Sequence, residues 1–348
     1  MIRDRTRTAI CRSFACDIHN STCRLWVICL SNVYADIFQT SDRMEVSVVV
    51  CTYSMDRYPD FAEAVGSALS QTYNPVELVL ISDGNDTVAE QMRHDFGDRE
   101  SVRIHNNEEN RGISYSRTRG AELANGELVA FLDDDAIATP EWIKTLVETY
   151  QSTTAHAVGG RLDPRWLAGE PSFLPEEFYW LIGCTERGFA DHLEEVRNTY
   201  GSNIAFDREV FLDVGGYDEE TGRKGDSHVQ AHEAPACIRM REQYGRGVVY
   251  NEEAIVYHKI FEYRTDFRWL VGRAFWQGYS KRVMNIRHPE DEGNEGEYLR
   301  DLATKYVPQR IRSLVGGPSV PKLAQLATIF VFTAAVGFGY LYGLATYR

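Results

Sequence analysis

From Val46 onward the apolar positions fall into two alternating rhythms. Val46 to Cys51, Val76 to Ile81 and Leu128 to Leu132 are short, nearly continuous apolar runs rich in β-branched residues. Such runs, bounded by turn-forming residues, read as strands buried on both faces. Between them Tyr58 to Gln71 sets Phe61, Val65, Ala68 and Leu69 on one face, the period of an amphipathic helix. Asn74-Pro75 breaks the chain before the second strand. Thr87 to Phe96 and Ile113 to Asn125 read as helices, the latter stopped by Gly126, with a short strand, Val102 to His105, between them. This β-α-β-α-β order predicts an α/β fold, a mostly parallel sheet with right-handed crossovers and helices on both faces. Ligands of such sheets bind beyond the carboxyl ends of the strands. Tyr53, Asp83 and the run Asp133-Asp134-Asp135 all fall there.

The second half is less regular. Ala157 to Arg161 reads as a strand, and an aromatic stretch follows: Trp166, Phe173, Phe178, Tyr179, Trp180 and Phe189. These side chains either pack a core or stack on sugars. Gly201 to Phe206 is a strand candidate. Asp207 to Val214 is a short helix ending at Gly215-Gly216-Tyr217-Asp218. A polar loop from Glu219 to Gln230 leads into a helix at Ala231 to Tyr244, then a strand at Val248 to Val256 with His258 just after it. Trp269 to Met284 reads as a helix, and Arg268, Arg273, Lys281 and Arg282 lie among its aromatics. Residues 286–322 form an acidic then basic linker, with His288 to Glu297 as a solvated loop.

Leu323 to Ala345 carries no charge. About 20 residues at ~1.5 Å rise match a hydrocarbon core of ~30 Å. Lys322 and Arg348 flank the run, and Tyr340, Tyr342 and Tyr347 sit where an aromatic belt would. It reads as a single C-terminal transmembrane helix spanning 323–345; a buried terminal helix is the other reading. Lys305, Arg310, Arg312 and Lys322 before it favour a cytoplasmic catalytic domain on the cell membrane.

Composition narrows the function. Of the 348 residues 43% are hydrophobic and 25% charged, as in ordinary globular proteins. The net charge of −14 argues against a nucleic-acid surface and is compatible with a salt-adapted source. The seven cysteines include Cys11, Cys16, Cys23 and Cys29, with no Cys-x-x-Cys pair. That spacing speaks against zinc, and the odd count for free thiols in a reducing compartment. Residues 1–43 have six arginines and no glycine, and their apolar run Leu25 to Leu30 is too short to span a membrane. They read as an extension outside the fold, with Met44 as the natural start and 44–285 as the folded domain.

Three adjacent carboxylates at a strand tip repel one another unless a cation sits among them. Mg²⁺ or Mn²⁺ would do so while sharing its shell with phosphate oxygens. The plainer reading is a polar strand end before a helix opened by Thr139-Pro140-Glu141.

The ordered set Val48-Val49-Val50-Cys51-Thr52-Tyr53, Ile81-Ser82-Asp83-Gly84, Asn110-Arg111-Gly112 with Arg117, and Phe131-Leu132-Asp133-Asp134-Asp135 resembles family 2 glycosyltransferases of the Rossmann-like GT-A fold. The resemblance covers about Val46 to Met284. It implies an inverting transfer from a nucleotide-sugar, usually a uridine diphosphate sugar, with Mn²⁺ or Mg²⁺ as cofactor. Thr52, Tyr53 and Asp83 would hold the nucleoside, and Arg117 would lie near the nucleotide, followed by Thr118 where the family usually has Asn. Asp133 and Asp135 match the outer members of the D-x-D motif, around Asp134. Asp135 would bind the metal, with Asp133 on ribose or sugar or beside the metal, and His258 completing the shell or touching the diphosphate. Gly215-Gly216-Tyr217-Asp218 resembles the element beside the acceptor site. His232-Glu233-Ala234, then Cys237 and Arg239, stand where many members have a Glu-Asp pair. Glu233 is therefore the expected general base, with Asp226 in the adjacent loop as its rival. The acidic composition, the Arg223 to Ser227 loop and the C-terminal run resemble archaeal enzymes that extend dolichol-phosphate-linked glycans for protein N-glycosylation, using glucuronic acid or hexoses. An exopolysaccharide or other glycolipid enzyme, or a non-catalytic carbohydrate-binding protein on the same fold, are the alternatives. A nicotinamide oxidoreductase is excluded by Cys51-Thr52-Tyr53-Ser54, where Gly-x-Gly-x-x-Gly would be needed.

Overall fold

The computed structural model describes residues 43–218, 233–289 and 295–347. Four strands form the parallel half of the sheet: β1 (Val46–Thr52), β2 (Val76–Ser82), β3 (Val102–Asn106) and β4 (Leu128–Asp133). Helices α1 (Tyr58–Leu69), α2 (Asp86–Phe96) and α3 (Ile113–Leu123) connect them. Alternate residues of β1 explain its unbroken apolar run. Val48 and Val50 point into a core with Phe61, Val65 and Trp142, while Val49 and Cys51 point into another with Ala121, Phe131 and Phe211. Both faces are covered, so no position tolerates a polar side chain without a partner. Ser47 shows the exception: it donates to Glu77 Oε2 at 2.6 Å and accepts from the Gly126 N–H at 2.9 Å.

The second half comprises β5 (Ala136–Ala138), α4 (Trp142–Ser152), β6 (Ala157–Trp166), β7 (Glu195–Val196), β8 (Ile204–Asp207), α5 (Arg208–Asp213), α6 (Glu233–Tyr244) and β9 (Val248–Ile260). The nine-stranded order is β3-β2-β1-β4-β8-β6-β9-β5, with β7 pairing β9. β8 runs antiparallel to both β4 and β6, β5 and β7 run antiparallel to β9, and β6 and β9 are parallel. The sheet is therefore parallel on the β1 side and mixed beyond β4. β6 and β9 both outlast the apolar runs that announce them, because the ladder continues past a register shift at Gly160/Arg161. Consequently His258 lies within β9, opposite Ala136 and Pro164, rather than after the strand.

Beyond the sheet stand α7 (Phe267–Arg287), α8 (Glu295–Asp301), α9 (Val307–Gly316) and α10 (Val320–Thr346). The expected linker is largely helical where it is described. It buries Leu302, and Arg310 reaches Glu177, a carboxylate with no exposed surface, at 2.5 Å. The aromatic stretch after β6 mostly packs a third core: Phe178 meets Phe332 of α10 with ring centroids 5.5 Å apart, and Trp166 and Tyr179 join it. α10 is long and apolar enough to cross a membrane. One of its faces is packed lengthwise on α7. A Cβ on Gly278 would strike the Val336 carbonyl, and one on Gly339 the Phe275 carbonyl, so these glycines set the approach of the two helices. Cys51, Cys184 and Cys237 are free and buried. The loop 219–232, with Asp226 and His232, lies outside the described residues.

Candidate active site

Register aligns the tips. Thr52 pairs with Ser82, Cys51 with Asp133, and the Asp83 N–H donates to the Thr52 carbonyl at 2.9 Å. Asp133 ends β4, Asp134 and Asp135 follow in a tight turn, and every one of the three carboxylates meets a cation, two of them the same one. Asp133 takes the Arg117 guanidinium. Asp134 accepts from Thr52 Oγ1 at 2.8 Å and Arg57 Nη2 at 3.0 Å. Asp135 accepts from the same Arg57 nitrogen at 2.9 Å and lies 3.4 Å from Arg264 Nη2; its other oxygen is 3.2 Å from His258 Nε2. Burial pushes the Asp134 carboxyl up, against the pull of Arg57. Burial acts the same way on Asp135, but His258, Arg264 and Arg57 overcome it and hold the group well below the usual carboxylate range.

Asp83 is buried and organises the loop that follows β3. Its oxygens accept from Asn107 Nδ2 at 2.9 Å, the Arg111 N–H at 3.1 Å and the Gly112 N–H at 2.8 Å. Tyr53 beside it is 57% exposed, a ring open to a ligand. Arg117 on α3 is 2% exposed and reaches both Asp133 and, at 3.7 Å, Glu233 Oε1. Glu233 is the first described residue of α6. It accepts from the Gly201 N–H at 3.1 Å. A Cβ at Gly201 would overlap both Glu233 Oε1 and Arg117 Nη1, so a larger residue there would displace both charged groups.

These side chains line one cavity of about 1270 Å³. Thr52, Tyr53, Asp83, Arg117, Asp133, Asp134, Asp135, Glu233 and His258 all reach it. Sequence reasoning missed Arg57, Arg264, Glu186 and Arg197, which also line it. Arg57 follows the Thr52-Tyr53 pair on a short 3-10 turn and Arg264 follows β9 on another, with no periodicity to mark either. Glu186 accepts from Tyr200 Oη at 2.9 Å, and burial raises its carboxyl. For a metal, Asp135 Oδ1 and His258 Nε2, 3.2 Å apart, are the pair of donors at hand, and a bound ion would have to displace the Arg264 nitrogen that lies 3.0 Å from His258 Nε2, leaving its remaining positions to phosphate oxygens and water. Among the described residues no three His, Cys, Asp or Glu side chains converge as a metal cage, and Asp133 is turned to Arg117.

Comparison with known proteins gives this site its class. The model of glycosyl transferase family 2 matches residues 47–215. A glucosyl-dolichyl phosphate glucuronosyltransferase of Haloferax volcanii is 62% identical over 304 residues, 87% of this chain and 97% of the relative. The succinoglycan biosynthesis protein ExoM of Rhizobium meliloti is 24% identical over 68% of this chain and 74% of its own length. Among solved structures, the mannosyltransferase PcManGT of Pyrobaculum calidifontis, in complex with GDP-Man and Mn²⁺, shares the fold with a TM-score of 0.56 at 14% identity, over 88% of each chain. The chain belongs to glycosyl transferase family 2 and is a glycosyltransferase on a GT-A scaffold.

Proposed function

We propose that the protein transfers a glucuronosyl unit from UDP-glucuronic acid to the sugar of glucosyl-dolichyl phosphate, with inversion, during assembly of a lipid-linked glycan. The observation that carries this reading is the single cavity bounded by the Asp83 and Asp135 tips on one side and Glu233 on the other. The identity with the archaeal glucuronosyltransferase supplies the substrate class.

In this reading Tyr53, Thr52 and Asp83 seat the nucleoside. Asp135 and His258 would hold Mn²⁺ or Mg²⁺, which when bound offsets the charge that grows on the departing diphosphate. Arg57 and Arg264, both beside Asp135, add fixed positive charge at the same place. Asp133, held by Arg117, faces the sugar. The acceptor hydroxyl attacks the anomeric carbon, its proton passes to the Glu233 carboxylate, and the bond between that carbon and the diphosphate breaks, releasing UDP. A positioned base of this kind contributes about 10²–10⁴ in rate. Asp226 remains the rival base.

The test is a transfer assay on membranes holding the protein, with labelled UDP-glucuronic acid, glucosyl-dolichyl phosphate and either metal. Labelled lipid that disappears in Asp135→Ala and Glu233→Ala supports the proposal. Donor binding without turnover on any acceptor would instead favour a carbohydrate-binding protein.

A further inference from the structure

The cavity does not end at Glu233. It continues along one flank of the α7–α10 seam, where Trp269, Arg273, Gln277, Lys281 and Asn285 line it from α7, and Thr333, Val336, Gly337, Tyr340 and Leu341 from α10. The α7 residues recur every four positions, so each neighbours the next in a ridge that winds slowly around that helix. This wall is polar and carries two cations in a chain whose net charge is −14. Lys281 is held at 2.7 Å by Glu295, which also lies 3.7 Å from Arg197, so the cationic groups of this end of the cavity are kept in place by a carboxylate at its rim.

The α10 wall has a different chemistry. Leu341 lines the cavity and is also 58% exposed. At 100° per residue it shares a face with Leu323, Phe330, Phe338 and Leu344, all exposed. The opposite face holds Ile329, Phe332, Ala335, Gly339 and Gly343, buried against the third core and α7. An uninterrupted apolar strip therefore runs along the outside of α10 and meets the cavity at Leu341.

We propose that the cleft beside the α7–α10 seam is the seat of a polyisoprenyl phosphate: phosphate against Arg273 and Lys281, isoprenoid chain along Leu341, Phe338 and Phe330. This deepens the preceding proposal and rests on its lipid-linked acceptor. The occupant follows from the order of the walls. An anionic group beside cations, followed at once by a long apolar surface, is the sequence of chemistries in a lipid phosphate, with the sugar placed toward Glu233. α10 then meets the bilayer with one face only, because its other face is packed on a helix bearing Arg273, Lys281 and Arg282.

The experiment uses the full chain in detergent with UDP-glucuronic acid and two acceptors, glucosyl phosphates bearing a C10 and a C55 isoprenoid. Donor affinity is read separately by titration with UDP. Leu323→Ser combined with Phe330→Ser, at the end of the strip farthest from the cavity, should raise KM for the C55 acceptor about tenfold and leave the C10 acceptor and UDP affinity unchanged. Arg273→Gln and Lys281→Gln should raise KM for both acceptors about 10- to 100-fold, the loss of a charge-assisted contact, with Arg273→Lys partly restoring it. An equal effect of the serine pair on both chain lengths, or acceptor KM values untouched by both glutamine variants, would overturn the placement. If the wild-type chain binds UDP and transfers to neither acceptor, the acceptor assignment itself falls, and the cleft's assignment with it.

Discussion

Replacing Glu233 by glutamine tests the chemistry with little change of shape. The side chain keeps its volume and an oxygen that accepts the Gly201 N–H, now at 3.1 Å. What it loses is the capacity to take a proton and the negative charge 3.7 Å from Arg117 Nη1. At an effective dielectric of about 20, unit charges at this spacing attract by roughly 4 kcal/mol before desolvation. Arg117 keeps its second counter-ion, Asp133, so this figure is an upper bound on the loss of stability. The catalytic loss is set by the missing base, about 10²–10⁴ in kcat, or ~2.7–5.5 kcal/mol of barrier. The assay is initial rate at saturating donor and acceptor, with UDP titration and thermal melting on the same preparation. The expected result is a collapse of kcat with UDP affinity and melting temperature nearly unchanged. A Glu233→Gln protein that folds, binds UDP and keeps kcat within threefold of wild type would refute Glu233 as the base and move the role to another carboxylate.

Other outcomes follow from the same geometry. Gly201→Ala forces the new methyl onto Glu233 and Arg117, so it should lower kcat by more than it lowers the melting temperature; kinetics beside a melt decide. Arg310→Ala strips the main partner from the fully buried Glu177 and should cost about 3 kcal/mol, the low end for a broken buried pair, because Arg187 stays 3.6 Å away; chemical denaturation measures it. Asp135 is depressed in the fold, so its contribution is complete above its unfolded pKa and drains away as pH falls through the folded one. Asp134 is raised and works the other way, its contribution present in acid and lost as pH rises. The acid limb of a melting-temperature profile should therefore be shallower in Asp135→Asn than in wild type.

Much of the parallel half was legible because its strands are covered on both faces. Burial on two sides writes a continuous apolar run, and one register then carries Thr52, Asp83 and Asp133 to a common edge. That edge brought Tyr53, Asp83 and the three aspartates together, while their roles toward a donor came from the family resemblance. Arg57 and Arg264 did not, since a charged side chain on a single 3-10 turn leaves no period to read. The placement of His258 slipped because β9 continues through the exposed Tyr257 and the buried but charged Lys259, whose polarity ends the apolar run before the strand ends. α10 shows a deeper limit. An uncharged helix has the same hydropathy whether a face meets lipid or protein. Its glycines at 339 and 343 were the trace of the contact with α7, since small residues mark close helix approach.

The most direct test of the account is the anomeric configuration of the product, read by NMR after the purified full-length chain acts on UDP-α-glucuronic acid and glucosyl-dolichyl phosphate. A single displacement within one cavity, with Glu233 taking the acceptor proton, predicts a β-linked glucuronosyl unit. An α-linked product would contradict it.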